Sequence, residues 1–446
     1  MLTRIEIDGF KSFEKFSLDL QPFTAIVGPN ATGKSNLFDA LQFLSLLAQT
    51  DIRSAMADLR GEPLELFRKV LGSKAGRIKQ AQKIRISVEL LLPADGVDAF
   101  GEAYEIKSRR IGYTVEIQGR RDEAGGLRGV VVSDERCWAI AKKDDGSFVP
   151  DSLKGVRYSG QLSDFISVED DRIRVRQDGP KKRGRPVFYP LSGASRTALS
   201  TISSAEFPHL YALKEILRTI QFLQIDPLAA RRPSDRLAQR QMQPDASNLA
   251  TVLARISEET STDDRPDGTV ADIAADLASL IPSVSGIKLR DTPSSSEYSF
   301  DLRLRDDLSF SARVISDGTL RLLALVTLLN DPERRGILCF EEPENGVHEG
   351  RIPALIEFLR AATDLTQAPD DPFQIVLNTH SPAVMAELND HEIVAADLLR
   401  TVRPDNRTST RTRMRTGVSA QGDMISETTL SRIELDRLLR NEGEAA

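Results

Sequence analysis

The order of apolar and polar positions divides the chain into stretches of different period. Near the start, Ile5 and Ile7, then Phe16, Leu18 and Leu20, alternate with polar residues. A period of two places every second side chain on one face, so these stretches predict two half-buried strands. Thr24-Ala25-Ile26-Val27 is a continuous apolar run, the pattern of a buried strand. Leu37, Phe38, Leu41 and Leu44 then recur at helical spacing, and that helix is expected to run to about Gln49. Gly61, Pro63, Gly72 and Gly76 break the stretch that follows. Ile84, Ile86, Val88 and Leu90 alternate cleanly, as do Ile111, Tyr113, Val115 and Ile117. Val130-Val131-Val132 and Trp138-Ala139-Ile140 are shorter runs. The region from about 84 to 175 therefore predicts antiparallel sheet.

From about 208 to 280 the period becomes helical. Leu210, Leu213, Ile216, Leu217 and Ile220 predict one helix. Leu249, Val252, Leu253 and Ile256 predict a second, with Asp245 or Ser247 as its N-cap, and Ile273, Leu277 and Leu280 a third. None is long and no heptad persists, so no long coiled coil is expected. Phe300, Leu302 and Leu304, then Phe310, Ala312 and Val314, predict a hairpin around Arg305-Asp306-Asp307. Ile337-Leu338-Cys339-Phe340 and Ile375-Val376-Leu377 are two further buried strands. The tail, residues 403–446, is polar and rich in Arg and Thr. It ends in a helical pattern over 430–439, and partial disorder is expected over about 403–425.

Composition narrows the class. A chain of 446 residues with 40% apolar residues can build more than one domain around real cores. The net charge of −7 argues against a strong constitutive nucleic-acid binder. Cys137 and Cys339 are the two cysteines, too far apart for metal-ligand spacing, and they suggest a reducing compartment. Cys339 is expected to be a small core residue. No apolar run reaches membrane-spanning length and the N-terminus alternates like a strand, so the expectation is a cytoplasmic protein with no membrane contact. Lys181-Lys182-Arg183-Gly184-Arg185 is a basic run, read as a solvated loop first and as a weak DNA or RNA contact second.

Gly28-Pro29-Asn30-Ala31-Thr32-Gly33-Lys34-Ser35 fits the phosphate-binding P-loop pattern and lies between a predicted strand and a predicted helix. The glycines permit backbone geometry that a Cβ forbids. Loop N–H groups and the helix N-terminus can then face phosphate, Lys34 can reach the β- and γ-phosphates, and Ser35 can ligate Mg²⁺. Glu341 and Glu342 follow an apolar run, so a buried strand delivers two carboxylates at its C-terminal end, where ligands of open α/β sheets bind. In that arrangement one acid holds Mg²⁺ and the next polarises water as general base. His380 ends another apolar strand and can reach a γ-phosphate, or it is an ordinary hydrogen-bonded histidine. Ser316 and Gly318 precede the helix of Leu320, Leu323, Leu325 and Leu328, which makes either an anion site or a plain helix cap.

The order of these motifs resembles the ATP-binding-cassette ATPases. It is closest to the soluble branch that holds RecF, the SMC proteins and the ATPase halves of OLD-type nucleases, and Gly9-Phe10-Lys11-Ser12-Phe13 is similar to that branch's opening motif. The resemblance implies a fold class of α/β, an ABC-type P-loop NTPase head with a mixed sheet, flanking helices and an antiparallel β-subdomain. Residues 1–83 and 298–402 would form that head, 84–297 an α+β insertion, and 403–446 a polar tail. It implies ATP and Mg²⁺ as ligands. The nucleotide set would be Gly28, Pro29, Asn30, Ala31, Thr32, Gly33, Lys34, Ser35 and Asn36, with Lys11, Ser316 and Gly318. Ser35 and Glu341 would hold the metal; Glu342 and His380 would be catalytic, with His380 as switch histidine. Glu344-Asn345-Gly346-Val347-His348 would be the D-loop, and Ser316 would face the nucleotide of the opposite subunit of a homodimer or higher oligomer. Four positions depart from the family pattern: Glu341 stands where Asp is usual, Thr319 replaces an acid or glutamine, and Ala31-Thr32 replaces Gly-Ser. No glutamine is assigned to the Q-loop. Fewer than about 70 residues follow His380, too few for a typical domain, so a C-terminal nuclease is expected to be absent and any effector, in DNA repair or phage defence, to be a separate protein. The alternatives are a nucleotide-gated scaffold with little turnover and an ATP-dependent nucleic-acid binder.

Overall fold

The computed structural model describes residues 1–71, 78–122, 126–145, 158, 164–179, 186–291, 295–366, 372–402, 408–419 and 429–440. The basic run at 181–185 lies outside the described residues. The chain forms two compact units: Met1–Ile220, Thr363–Val376 and Asn389–Ala446 make the first, Gln221–Ala362 and Leu377–Leu388 the second. These units divide the chain differently from the expected head, insertion and tail, because strands from both sides of residue 83 share one sheet.

The first unit begins with β1 (Leu2–Asp8), β2 (Phe16–Asp19), β3 (Phe23–Val27) and α1 (Lys34–Leu47). The strands β4 (Lys83–Leu91), β5 (Arg110–Arg121), β6 (Leu127–Ala139), β7 (Ile166–Glu169), β8 (Arg172–Arg176) and β9 (Pro186–Pro190) follow, then α2 (Pro208–Arg218). An eight-stranded sheet runs in the order β9-β8-β7-β6-β5-β4-β1-β2, with every described pairing antiparallel. Its register explains the alternation in the sequence. Leu18, Ile5, Val88, Tyr113, Cys137, Ile166, Val175 and Val187 stand opposite one another in turn, one row across all eight strands. All but Val187 are buried, so one face of the sheet is core. Each large apolar side chain buried there contributes about 1.5–3 kcal/mol.

The second unit contains β10 (Ile220–Leu223, from Gln221 on), α3 (Leu249–Thr260), α4 (Thr269–Leu280), β11 (Val284–Arg290), β12 (Glu297–Leu304), α5 (Asp317–Leu329), β13 (Ile337–Glu341) and α6 (Ile352–Ala361). β14 (Gln374–Thr379) follows, with residues 374–376 in the first unit and 377–379 in the second. The first unit ends with β15 (Ile393–Val402), β16 (Thr408–Arg415) and α7 (Arg432–Arg440). Within the first unit the order is β14-β3-β15-β16, with β15 parallel to β3 and β16 antiparallel to β15. Within the second the order is β10-β13-β14. All five residues of β3 are buried, as are the first four of β13 and all six of β14. Strands covered on both faces lose the polar alternation, which is why these three read as continuous apolar runs.

Several expectations are corrected. Val130–Val132 and Trp138 belong to one strand of 13 residues, not two short ones. Ile220 opens β10 and lies outside α2. The N-cap of α3 is Asn248, without a side-chain cap bond, in place of Asp245 or Ser247. The second arm of the hairpin is only Ser309–Ser311; Ala312–Val314 turns into a 3-10 helix and Val314 is exposed. Within 403–425, expected to be partly disordered, residues 408–415 and 417–419 are strand, and β16 pairs with β15 from Thr408 to Arg415; 403–407 and 420–425 lie outside the described residues. The longest described helix has 14 residues, so no coiled-coil arm is present among the described residues.

Candidate functional site

In the first unit, the loop between β3 and α1 turns on two residues of positive φ, Ala31 (60°) and Gly33 (94°). Gly33 is the N-cap of α1 and gives its first N–H groups no side-chain acceptor. A helix start of this kind presents uncapped donors to an anion. Lys34 is buried, and its ammonium folds back onto the carbonyls of Gly28 (2.5 Å) and Pro29 (2.7 Å). Thr32 Oγ1 donates to the Pro29 carbonyl at 2.8 Å. A Cβ on Gly28 would lie 2.3 Å from the Ala396 carbonyl of β15, so the loop base admits glycine only. The loop thus has the donors and the cation that a nucleotide's phosphates require.

Two expected contributors lie close by with other partners. Asn36 Nδ2 donates to Ser12 Oγ at 2.8 Å. The Lys11 ammonium sits 2.6 Å from Asp39 of α1 and donates to the Arg60 carbonyl. Arg60 also pairs with Asp39 and donates to the Ser35 carbonyl at 3.2 Å. Phe10 and Phe13, the aromatics of the same opening motif, are fully buried, and Phe10 stacks on Phe43 of α1. The motif therefore packs under the P-loop helix.

In the second unit, the ends of β13 and β14 bring the acidic and histidine motifs together. The Glu342 N–H donates to the Asn378 carbonyl at 3.0 Å, continuing the pairing of the two strands. Asn378 Nδ2 donates to Glu341 Oε1 at 3.2 Å. Glu342 has a φ of 49°, a left-handed turn that redirects its side chain at the strand end. Its Oε2 accepts from Asn345 Nδ2 at 2.7 Å, and its Oε1 lies 2.9 Å from His380 Nδ1. That last approach is an ion-pair distance without the alignment of a hydrogen bond. Both side chains are partly exposed, while His380 Nδ1 itself is buried.

Glu344 is tied to the end of β14 through Thr379. It accepts from Thr379 Oγ1 at 2.5 Å, while its other oxygen is buried with no partner among the described residues. Burial raises its pKa, with the nearby Glu342 charge adding and the Thr379 bond opposing. Cys339, one strand position before Phe340, is fully buried, which pushes its thiol well up and leaves it an inert core group.

Ser316 is the N-cap of α5. Its Oγ accepts from the Thr319 N–H at 3.2 Å and lies 2.8 Å from Thr319 Oγ1. The helix-cap reading is therefore realised, and both hydroxyls remain exposed. A Cβ on Gly318 would lie 2.2 Å from the Gly346 carbonyl, so α5 starts in backbone contact with the turn that carries Asn345. Ser316, Gly318 and Thr319 line a cleft of about 540 Å³ with His348 and Arg351.

A family model described as "AAA domain, putative AbiEii toxin, Type IV TA system" fits residues 23–386. The chain belongs to that family. Its fold is that of an ABC-type P-loop head. It is similar to the chromosome partition protein Smc of Methanocaldococcus jannaschii, 50% identical over 58 residues, which is 13% of this chain and 5% of that protein. It is also similar to the DNA replication and repair protein RecF of Lactobacillus gasseri, 32% identical over 107 residues, 24% of this chain and 27% of that one. Each match thus spans about a quarter or less of the relative's length. Among solved structures, an Smc head bound to the C-winged helix domain of ScpA covers 92% of this chain and 97% of that chain, with a TM-score of 0.50 and 14% identity.

Within this AAA-family chain, three structural features of the site were not legible in the motifs. Thr412 of β16 reaches the P-loop, donating to the Thr32 carbonyl at 2.9 Å. Asp39 gathers Lys11 and Arg60, and its position on α1 is signalled only by an acid interrupting an apolar helix. Thr379 anchors Glu344.

Proposed function

We propose that this chain hydrolyses ATP and that two copies close head to tail over two nucleotides, gating a separate effector in DNA repair or phage defence. The observation that carries the catalytic part is the Glu342 carboxylate, held by Asn345 and facing His380 at the end of a buried strand. Lys34 and the loop N–H groups hold the β- and γ-phosphates. Ser35 and Glu341 offer hard oxygen donors that suit Mg²⁺. When bound, the metal neutralises charge on the phosphate oxygens. Glu342 accepts the proton of the attacking water as general base, and Asn345 fixes the direction of its carboxylate. His380 donates to the γ-phosphate. Ser316, through the hydroxyl at the start of α5, meets the γ-phosphate bound by the other copy, where the helix terminus favours negative charge. The effector is a nuclease or toxin on another polypeptide.

The test is release of inorganic phosphate by purified protein with Mg-ATP. Glu342→Gln keeps size and hydrogen-bonding reach but cannot take a proton, so turnover is expected to fall by about 10² or more. Unchanged turnover would remove Glu342 from the mechanism. Glu341, longer than the usual Asp, favours a second reading, a nucleotide-gated scaffold. No phosphate release by the wild type, with ATP still bound, would establish it.

A further inference from the structure

We propose that Thr412, in the strand β16 near the C-terminal end of the chain, is a positioning residue of the nucleotide site. Its hydroxyl sets the orientation of the Thr32–Gly33 peptide and so aims the Gly33 N–H at phosphate. This inference rests on the nucleotide reading of the P-loop given above.

Proton counting fixes the direction of each bond. Thr412 Oγ1 lies 2.9 Å from the Thr32 carbonyl and 2.6 Å from Ser12 Oγ. A carbonyl only accepts, so the single Thr412 proton goes to Thr32. Ser12 must then donate to Thr412. Ser12 in turn accepts from Asn36 Nδ2 at 2.8 Å. The result is a directional relay, Asn36 to Ser12 to Thr412 to the Thr32 carbonyl, in which each hydroxyl both donates and accepts. Bonds in such a chain polarise one another. Thr412 is 3% exposed, so water does not compete for its hydroxyl.

The peptide group converts this relay into P-loop geometry. A trans peptide is planar, with its C=O and N–H on opposite sides. With the Thr32 carbonyl turned to β16, the Gly33 N–H points away from β16. Gly33 is held there sterically as well. A Cβ at that position would lie 2.1 Å from Thr412 Oγ1 and 2.8 Å from Ser12 Oγ, and its φ of 94° already favours glycine. The glycine of the phosphate-binding pattern is therefore needed partly because Thr412 occupies the space behind it.

Thr412 is fixed from two further sides. Its own N–H donates to the Ser12 carbonyl at 3.2 Å. Arg68, itself buried, donates to the same carbonyl at 2.9 Å and to the Thr410 carbonyl at 3.3 Å. The strand β16 and the turn carrying Ser12 are thus clamped together, and the clamp lies directly behind the P-loop.

The experiment compares Thr412→Val, Thr412→Ser and Lys34→Ala in the full chain. Binding of a non-hydrolysable Mg-ATP analogue is measured by calorimetry, and thermal melting is recorded without nucleotide. Valine keeps the β-branched shape and removes the hydroxyl. Thr412→Val is expected to weaken binding by about fivefold or more, the scale of one hydrogen bond, with melting close to wild type. Thr412→Ser is expected to bind within about twofold of wild type, because the relay survives. If Thr412→Val does not fold, Ser12→Ala breaks the relay one step earlier and is expected to weaken binding in the same direction. Wild-type binding by the hydroxyl-free variant, or equal weakening by Val and Ser, overturns the proposal while loss of binding in Lys34→Ala leaves the P-loop reading intact. Wild-type binding by Lys34→Ala overturns both.

Discussion

Glu135 sits where the sheet register calls for an apolar residue. It stands opposite Val115, in the row that continues through Ile86, Ile7 and Phe16. Its carboxylate is fully buried and accepts from the N–H groups of Ala198 (2.7 Å) and Leu199 (3.0 Å) and from the Tyr113 hydroxyl (3.0 Å). Burial disfavours the charge, the three hydrogen bonds favour it, and burial wins: the pKa is pushed up to about 7. The folded protein therefore holds a proton that the unfolded chain has lost above the ordinary Glu value. The stability from that proton is complete below the unfolded pKa and is lost as pH rises through about 7. The urea midpoint of wild type is expected to fall more than that of Glu135→Gln between pH 5 and pH 8; equal losses would contradict this. Single-residue facts of this kind were the least legible in the sequence. A register shift between Val132 and Asp134 turns Glu135 and Cys137 inward, and strict alternation from Val130 and Val132 would have turned Asp134 inward instead. The P-loop residues were legible because their chemistry depends on local spacing. Thr412 was not, because its role depends on contact with a residue 380 positions away.

Elements were legible in proportion to their apolar period. The two rows of the large sheet and the three buried strands β3, β13 and β14 follow from alternation or from continuous apolar runs. β16 has no such signal. Its sequence, Thr-Ser-Thr-Arg-Thr-Arg-Met-Arg, reads as a solvated tail; it is held by backbone pairing with β15, by the ion pairs of Arg413 (2.6 Å) and Arg415 (2.7 Å) with Asp397, and by the bonds of Thr412 and Arg68 to the Ser12 turn. At this scale the contact between Gly318 and Gly346 also makes a prediction. It seats the start of α5 on the turn bearing Asn345, and Asn345 orients Glu342. In Gly318→Ala the new methyl group would displace that turn. Phosphate release is expected to drop by about tenfold or more, with binding of the non-hydrolysable analogue within about twofold. Equal loss of binding and turnover would mean that the variant disturbs more than the catalytic turn, and full turnover would mean that the contact does not position Glu342.

At the scale of the whole molecule, the ligand proposed for the exposed Ser316 hydroxyl would be carried by a second copy of the chain. One sequence carries the motif but not its partner, so its use in assembly could be reached only through resemblance. The fold, an ABC-type P-loop head, was legible from motif order because that order fixes which strand ends carry which groups. Centrally, ATP held by one copy is proposed to be closed over by Ser316 of another. Light scattering of Glu342→Gln with and without Mg-ATP tests it most directly. With hydrolysis blocked and phosphate binding intact, the mass is expected to rise from monomer to dimer, or to a higher assembly built on it, only when Mg-ATP is present. Adding Ser316→Arg is expected to abolish the rise, since the bulky side chain fills the γ-phosphate side of the interface. A mass that never responds to Mg-ATP, or that responds equally with Ser316→Arg, would contradict the two-copy site even if the P-loop binds nucleotide as described.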